Sequence, residues 1–227
     1  MKNSISCETE FFIGKFLKAY EILAAVWYNG KEEEKSMDII KQVKQELMRR
    51  NQEYMDKYEK YDFWEQHIKY VVAEALSLAD ELGADKEIVE LGALLHDIAL
   101  VSKVGTKVDH HTNGAILAEE ILKSYKYPAE KIKRVVNCVL HHRSSKNAEN
   151  IEEVCVCDAD ILAHFDNIPM TFECAYKFHK IETIQEANEW IIKNFEKDYN
   201  DLSDRTRKKF KKKYENIMQV LFGKIVK

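Results

Sequence analysis

Residues that interrupt secondary structure are scarce in this chain of 227 residues, which contains two prolines and seven glycines. Sheet-rich folds need many such residues, because glycine and proline adopt the backbone angles that tight turns require. The scarcity therefore favours long helices over strands. The length suffices for one substantial hydrophobic core.

Long apolar runs and paired cysteine motifs are also missing. No apolar stretch approaches the roughly 20 residues that a membrane-spanning helix needs. Near the N-terminus, Phe11–Leu17 is interrupted by Gly14 and Lys15, which argues against a signal peptide. The five cysteines include no Cys-x-x-Cys pair, and such an odd set is typical of a reduced chain. We therefore expect a cytoplasmic protein without a membrane partner.

Neither sign of charge dominates, since the formal net charge is −4. This balance argues against attraction of the whole molecule to nucleic acid or to an anionic membrane. One basic run, residues 205–213, has seven basic residues in nine, but Phe210 and Tyr214 lie on its other face. We interpret the run as the solvated side of a packed helix and do not expect a nucleic-acid partner.

Apolar residues recur at three- and four-residue steps along most of the chain, which is the helical period. A first helix is predicted over residues 12–27, and a second begins near Ser36 and continues towards Tyr61. Further helices are predicted over residues 68–82, 113–125 and 128–142, and after caps at Asn150, Thr183 and Ser203. No linker divides the chain, so the pattern predicts one all-α domain over residues 1–227.

The segment from Ile88 to Val101 has almost no polar face, which predicts a helix in the middle of the bundle. His96 and Asp97 interrupt it. Burying an unpaired carboxylate costs several kcal/mol, so Asp97 must meet a cation or strong hydrogen-bond donors. A buried His–Asp hydrogen bond, or an ion pair with a lysine, would satisfy Asp97 equally well, and the dipeptide alone does not decide.

The spacing of other potential ligands favours a metal. His67 precedes His96 by 29 residues, about one helix, a turn and most of another helix. Asp160 lies in the otherwise mostly apolar stretch 156–162. Imidazole and carboxylate ligands from separate helices would form a mixed nitrogen and oxygen site with open positions for water and substrate.

This order of residues (His, then His-Asp, then a distant Asp) resembles the HD superfamily of metal-dependent phosphohydrolases. The resemblance extends to the flanking residues Leu91-Gly-Ala-Leu-Leu-His-Asp-Ile98, Asp109-His-His-Thr-Asn-Gly-Ala115, Leu140-His-His142 and Asp158-Ala-Asp-Ile-Leu162. It covers about residues 61–165, the expected metal-binding core. The resemblance implies an HD-type helical bundle with extra N- and C-terminal helices, which hydrolyses a nucleotide or another small phosphorylated substrate.

The resemblance also implies roles for single residues. His67, His96, Asp97 and Asp160 match the ligands of a first metal, whereas Asp158 is a weaker candidate. His110 and either His141 or His142 match histidines that some members use for a second metal or for substrate phosphate. Asp97, His110 and His142 are the expected catalytic residues. The expected cofactor is a divalent cation (Mn, Fe, Co, Ni, Mg or Zn) at one site, with a second site left open.

Two departures from the family pattern bear on the substrate. Many members continue His-Asp-Ile with Gly and Lys, but Ala99 and Leu100 stand here. Lys103 or Lys107, or Arg143, could replace the missing lysine, and we expect Lys103, Arg143 and His111 to contact the substrate. No Gly-Tyr-Pro follows His142, which argues against the branch of the superfamily that acts on cyclic dinucleotides.

Two alternatives to a phosphohydrolase remain open. With the additional histidines the site could hold two irons and activate oxygen, as a minority of the superfamily does. The protein could instead be a sensor that binds a nucleotide or metal without turnover. The sequence does not fix the oligomeric state and allows a homodimer.

Overall fold

The structure, a computed structural model, describes residues 38–58 and 61–223. Contacts between residues divide the chain into two units, residues 1–41 and 42–227. In the first unit the described residues are 38–41, which form the first turn of a helix. The predicted helix over residues 12–27 and the cap at Ser36 lie outside the described residues. Apart from this first turn, all that follows concerns the second unit.

The described ranges contain helices and no β-strand, which confirms the all-α prediction. Helix α1 covers residues 38–58, and a π-helical turn, Trp64–Ile68, leads into α2 (Lys69–Leu82). The central helices are α3 (Lys86–Leu95), α4 (Ile98–Val101), α5 (His110–Ser124) and α6 (Ala129–His141). After a 3₁₀ turn, Ser145–Asn147, come α7 (Ile151–Asp166), α8 (Ile168–Phe178), α9 (Ile184–Asp201) and α10 (Asp204–Phe222).

The core forms where α2, α3, α6 and α7 pack together, with α5 against α6. The apolar side chains of α3 are nearly all withdrawn from solvent, as its sequence predicts. Gly92 lets α3 approach α6 closely, since a Cβ there would lie 2.8 Å from Cys138 Cβ. This packing puts the end of α3 at the centre of the bundle.

The segment predicted as one continuous helix, 88–101, is in fact broken at His96 and Asp97. Helix α3 ends at Leu95 and α4 begins at Ile98, and Asp97 has φ −104° and ψ 17°, outside the helical region. Adjacent side chains on a continuous helix point about 100° apart. The break changes that geometry and lets both side chains reach one cluster.

Several predicted helix ends are confirmed. Gly83 ends α2 in the left-handed conformation, with φ 71°. Asn150 caps α7 by accepting a hydrogen bond from the Glu153 backbone, and Thr183 with Glu186 forms a capping box on α9. Helix α8 was not predicted from the sequence.

Asp158 anchors the start of α10 to α7. Its side chain is fully buried and accepts hydrogen bonds from the backbone nitrogen of Ser203 at 2.9 Å and from Ser203 Oγ at 2.5 Å. Ser203, predicted as a side-chain cap, therefore donates its hydroxyl hydrogen to Asp158. This bonding explains why the buried Asp158 need not be a metal ligand.

Replacing Asp158 with alanine is expected to lower the free energy of unfolding by about 1–3 kcal/mol, because the Ser203 N–H loses its partner at a buried helix start. Metal content should be unchanged. Thermal unfolding with elemental analysis measures both, and Asp204→Ala, which removes an exposed carboxylate at the same helix end, is the matched control. Equal stability of the two variants would contradict the anchoring role.

Candidate metal centre

Six of the predicted site residues meet at the centre of the bundle. They come from the π-helical turn, the break between α3 and α4, the start of α5, the end of α6 and the middle of α7. None is more than slightly exposed: His67, His96, Asp97, His110, His142 and Asp160.

A first group of ligand atoms surrounds His67 and His96. Their Nε2 atoms are 3.2 Å apart, and His67 Nε2 lies 2.9 Å from Asp160 Oδ1. Asp97 Oδ2 is 3.6 Å from His96 Nε2. The nitrogen and oxygen atoms of four side chains thus face one small volume.

A second group lies on the other side of Asp97. Asp97 Oδ1 is 3.3 Å from His110 Nε2 and 3.9 Å from His142 Nε2, and the two imidazole nitrogens are 3.0 Å apart. Each oxygen of Asp97 therefore faces a different group. This single carboxylate could therefore supply one ligand atom to each group.

Backbone carbonyls fix which nitrogen of three histidines carries the proton. Nδ1 of His96, His110 and His142 lies 2.8, 2.8 and 2.6 Å from the carbonyl oxygens of Ala93, Lys107 and Val139. A carbonyl can only accept, so Nδ1 donates and the Nε2 lone pair of each neutral ring faces the centre.

Lone pairs that face each other require a positive charge between them. His110 and His142 cannot form a hydrogen bond through two Nε2 acceptors at 3.0 Å. A divalent cation of the kind that accepts nitrogen and carboxylate ligands removes this repulsion. The residues present therefore fit the metal that the sequence predicts.

The pKa values of the groups suit metal binding. Burial, followed by the neighbouring His96, lowers the pKa of His142 to about 4, so this imidazole is neutral at pH 7. Burial raises the pKa of Asp97, but His96 and His67 outweigh it and the net shift is downward. For Asp160, burial is likewise outweighed, here by the hydrogen bond from His67, and the pKa falls well below its usual value. Both carboxyl groups are ionised at neutral pH.

His164 belongs to the cluster, although sequence reasoning missed it. Its Nε2 lies 4.0 Å from Asp160 Oδ1, its ring stacks on His67 at 5.5 Å between centroids, and its Nδ1 is 2.9 Å from Asp198 Oδ2. His67, Asp160 and His164 form a third group of potential ligand atoms. Burial lowers the pKa of His164, but Asp198 and then Asp160 raise it to about 9. Its spacing from Asp160, one helical turn, was the available signal.

His141 is not brought into the cluster. Its Nδ1 donates to Glu153 Oε2 at 2.8 Å, and Glu153 is fully buried. His141 and His142 are adjacent at the end of α6, where neighbouring side chains diverge, so one of them faces the centre and the other faces α7. The structure places His142 at the centre, and His141 is not among the ligand atoms that cluster in the described part of the chain.

The three residues predicted to contact the substrate lie in different places. Lys103 Nζ lies over the ring of Tyr58, 5.0 Å from its centroid, and no described contact joins it to the metal centre. Arg143 and His111 instead line a cavity of about 290 Å³ together with Lys197 and Asp201. The ring of His111 lies 5.9 Å from the ring of the cluster residue His110, centroid to centroid, so the cavity borders the metal centre. This cavity is therefore the better candidate for a substrate contact.

A search of the described residues for helices long and apolar enough to cross a membrane finds none.

Comparison with known proteins gives a consistent family. Residues 64–164 match the family described as HD domain. The chain is 36% identical over 98 residues to a ribonuclease Y of Treponema denticola, and 31% identical over 83 residues to an uncharacterized protein of Clostridium beijerinckii. Among solved structures, an HD-superfamily hydrolase of Bacillus thuringiensis superposes with a TM-score of 0.60 at 18% identity.

The extents of these matches differ. The B. thuringiensis likeness covers 82% of this chain and 94% of that one, and it shows the fold. The match to the C. beijerinckii protein covers 37% of this chain and 52% of that protein. The match to the T. denticola ribonuclease Y covers 43% of this chain and 18% of that protein. The chain thus spans about half of one relative and under a fifth of the other. The matched family, the shared fold and the His-Asp cluster agree, and together they support an HD domain over residues 64–164 of this chain.

Proposed function

We propose that this protein is a metal-dependent phosphohydrolase that acts on a nucleotide or another small phosphoester. The observation that carries the proposal is the pair of ligand groups that share Asp97, with Nε2 lone pairs directed inward from both sides. Such a centre suits reactions in which negative charge must be held close to a reacting oxygen.

The first cation would be held by His67, His96, Asp97 and Asp160, and a second by Asp97, His110 and His142. When bound, a divalent cation supplies a water that is a stronger nucleophile near neutral pH and offsets charge on phosphoryl oxygens. Nitrogen and carboxylate ligands favour Mn, Fe, Co, Ni or Zn over Mg.

The chain's own residues supply orientation and proton transfer. Asp97 is ionised, so it can orient the attacking water or accept its proton. Arg143 has an exposed guanidinium with one donor on the carbonyl of Val108, which leaves further donors for a phosphoryl group. His111 lines the same cavity as Arg143 and can also contact the substrate.

Two observations bear on substrate size. Ribonuclease Y, by its name, cleaves RNA, so phosphodiesters belong on any substrate panel. However, three of the seven basic residues in the run of α10 contact acidic residues of other helices: Arg205 and Lys209 contact Glu81, and Lys213 contacts Asp166. This pairing supports a solvated outer face and favours a small substrate over a long nucleic acid.

The position of Asp97 in two ligand groups also keeps the oxygenase alternative open, because the residues around it could hold two irons. Purified protein with iron, a visible charge-transfer band and no phosphate release would favour that alternative. Tight binding of a nucleotide without turnover would favour the sensor.

Chelation should abolish phosphate release and lower the melting temperature. The metal binds only the folded state, and a ligand at a thousandfold excess over its dissociation constant stabilises by about 4 kcal/mol. The assay uses nucleotides, sugar phosphates and bis(p-nitrophenyl) phosphate with metal-loaded protein, chelated protein and chelated protein resupplied with Mn²⁺ or Co²⁺. If metal removal is confirmed and either the rate of phosphate release or the melting temperature stays at its wild-type value, the proposal is contradicted.

A further inference from the structure

We infer that His164 is an additional ligand of the metal centre and that Asp198 holds it in place. The inference rests on the proposed metal centre and extends it to a residue outside the His, His-Asp and Asp pattern. It concerns the side of the cluster formed by α7 and α9.

The positions of the ligand atoms support this role. A cation about 2.1 Å from each of two ligand atoms spans up to about 4.2 Å between them. His164 Nε2 and Asp160 Oδ1, at 4.0 Å, lie within that span, and His67 Nε2 is 2.9 Å from the same oxygen. The rings of His164 and His67 are stacked and nearly parallel, with 19° between their planes, so the two imidazoles lie next to each other.

Asp198 provides the support that metal-binding histidines commonly have. Such a histidine usually donates its second N–H to a carboxylate or carbonyl, which fixes the ring and strengthens the ligand. His164 Nδ1 lies 2.9 Å from Asp198 Oδ2, and this contact directs Nε2 towards Asp160, where a cation would replace the Nε2 proton. Asp198 comes from α9, so the cation would also tie α9 to the HD core.

A purely structural role explains less of the geometry. A hydrogen bond between α7 and α9 accounts for the contact of His164 with Asp198. The approach of Nε2 to Asp160 in addition places His164 beside an aspartate that already contacts His67, which is the arrangement that ligands of one cation share. An additional nitrogen ligand would also bias the centre towards Mn, Fe, Co, Ni or Zn and away from Mg.

The test is a titration of metal-free full-length protein with Co²⁺, followed by visible absorption, which reports the ligands of the ion. The variants are His164→Ala, His164→Gln, which keeps bulk and polarity, and Asp198→Asn. His179→Gln is the matched control, because His179 contacts Trp190 and lies outside the three ligand groups. We expect Co²⁺ affinity to fall about 10–100-fold in both His164 variants. The absorption band should change, and added imidazole should restore it in His164→Ala.

Asp198→Asn should weaken Co²⁺ binding with little change in the band, since the ring remains a ligand but is held less firmly. Wild-type affinity and absorption in both His164 variants would overturn the inference while leaving the metal centre intact. If the His164 variants instead melt at a lower temperature, keep the wild-type absorption band and do not respond to imidazole, the role of His164 is structural. That result would also overturn the inference. Failure of the wild type to bind Co²⁺ would instead remove the metal centre, and the proposed function with it.

Discussion

Replacing His96 with alanine is expected to release the metal. His96 is fully buried, and its Nε2 is within 3.7 Å of a nitrogen or oxygen atom on each of three other proposed ligands. Its removal takes the most deeply buried nitrogen ligand from the first position and leaves a gap that water can enter, so the remaining ligands should hold the ion much less tightly. Elemental analysis after gel filtration should find at least one metal per chain in the wild type and little in the variant.

The controls separate ligand loss from general damage. His141→Gln removes a neighbouring histidine that contacts Glu153 and lies outside the cluster, so it should keep its metal. His142→Ala should lose any second metal and keep the first. Wild-type metal content in His96→Ala would refute the assignment of the first site.

Replacing Asp97 with asparagine is expected to have the largest effect on turnover. The change keeps the shape of the side chain but removes the charge that faces both ligand groups and the acceptor for a proton. General-base catalysis alone contributes about 10²–10⁴-fold, so we expect phosphate release to fall at least about 10³-fold. Metal-loaded variant and wild type are compared on the same substrate panel.

The exposed carboxylate of Asp204 gives the control, because Asp204→Asn makes the same chemical change far from the centre and should keep wild-type turnover. The Asp97 variant should also unfold within a few degrees of the wild type once metal-free, which separates catalysis from folding. Equal rates in wild type and Asp97→Asn would indicate a contaminating enzyme.

The helical periodicity predicts most of the described fold because apolar stripes and caps act locally. Gly83, Asn150 and Thr183 end or begin helices where their chemistry requires it. The break at His96 and Asp97 could not be predicted, since the apolar pattern continues through it. It depends on contacts with other helices that appear only when the bundle is assembled.

The candidate site shows the same division between local and long-range information. The spacing of His67, His96-Asp97 and Asp160 identifies residues that the structure brings together. Which of His141 and His142 faces the cluster depends on the residue at which α6 ends, and the sequence does not predict that end to the single residue. His164 forms a hydrogen bond with Asp198, which is 34 residues away in the sequence. A local sequence pattern cannot predict such a contact.

Oxygen-isotope labelling tests the central claim most directly. Metal-loaded protein is incubated with its best substrate from the panel in water enriched in ¹⁸O, and the product is analysed by mass spectrometry. We predict one ¹⁸O atom in the released phosphate or phosphomonoester for each bond cleaved, and none in the Asp97→Asn reaction above background. Label that enters the product from ¹⁸O₂ in an iron-loaded protein, with no phosphoryl product formed, would contradict hydrolysis as the function of this centre.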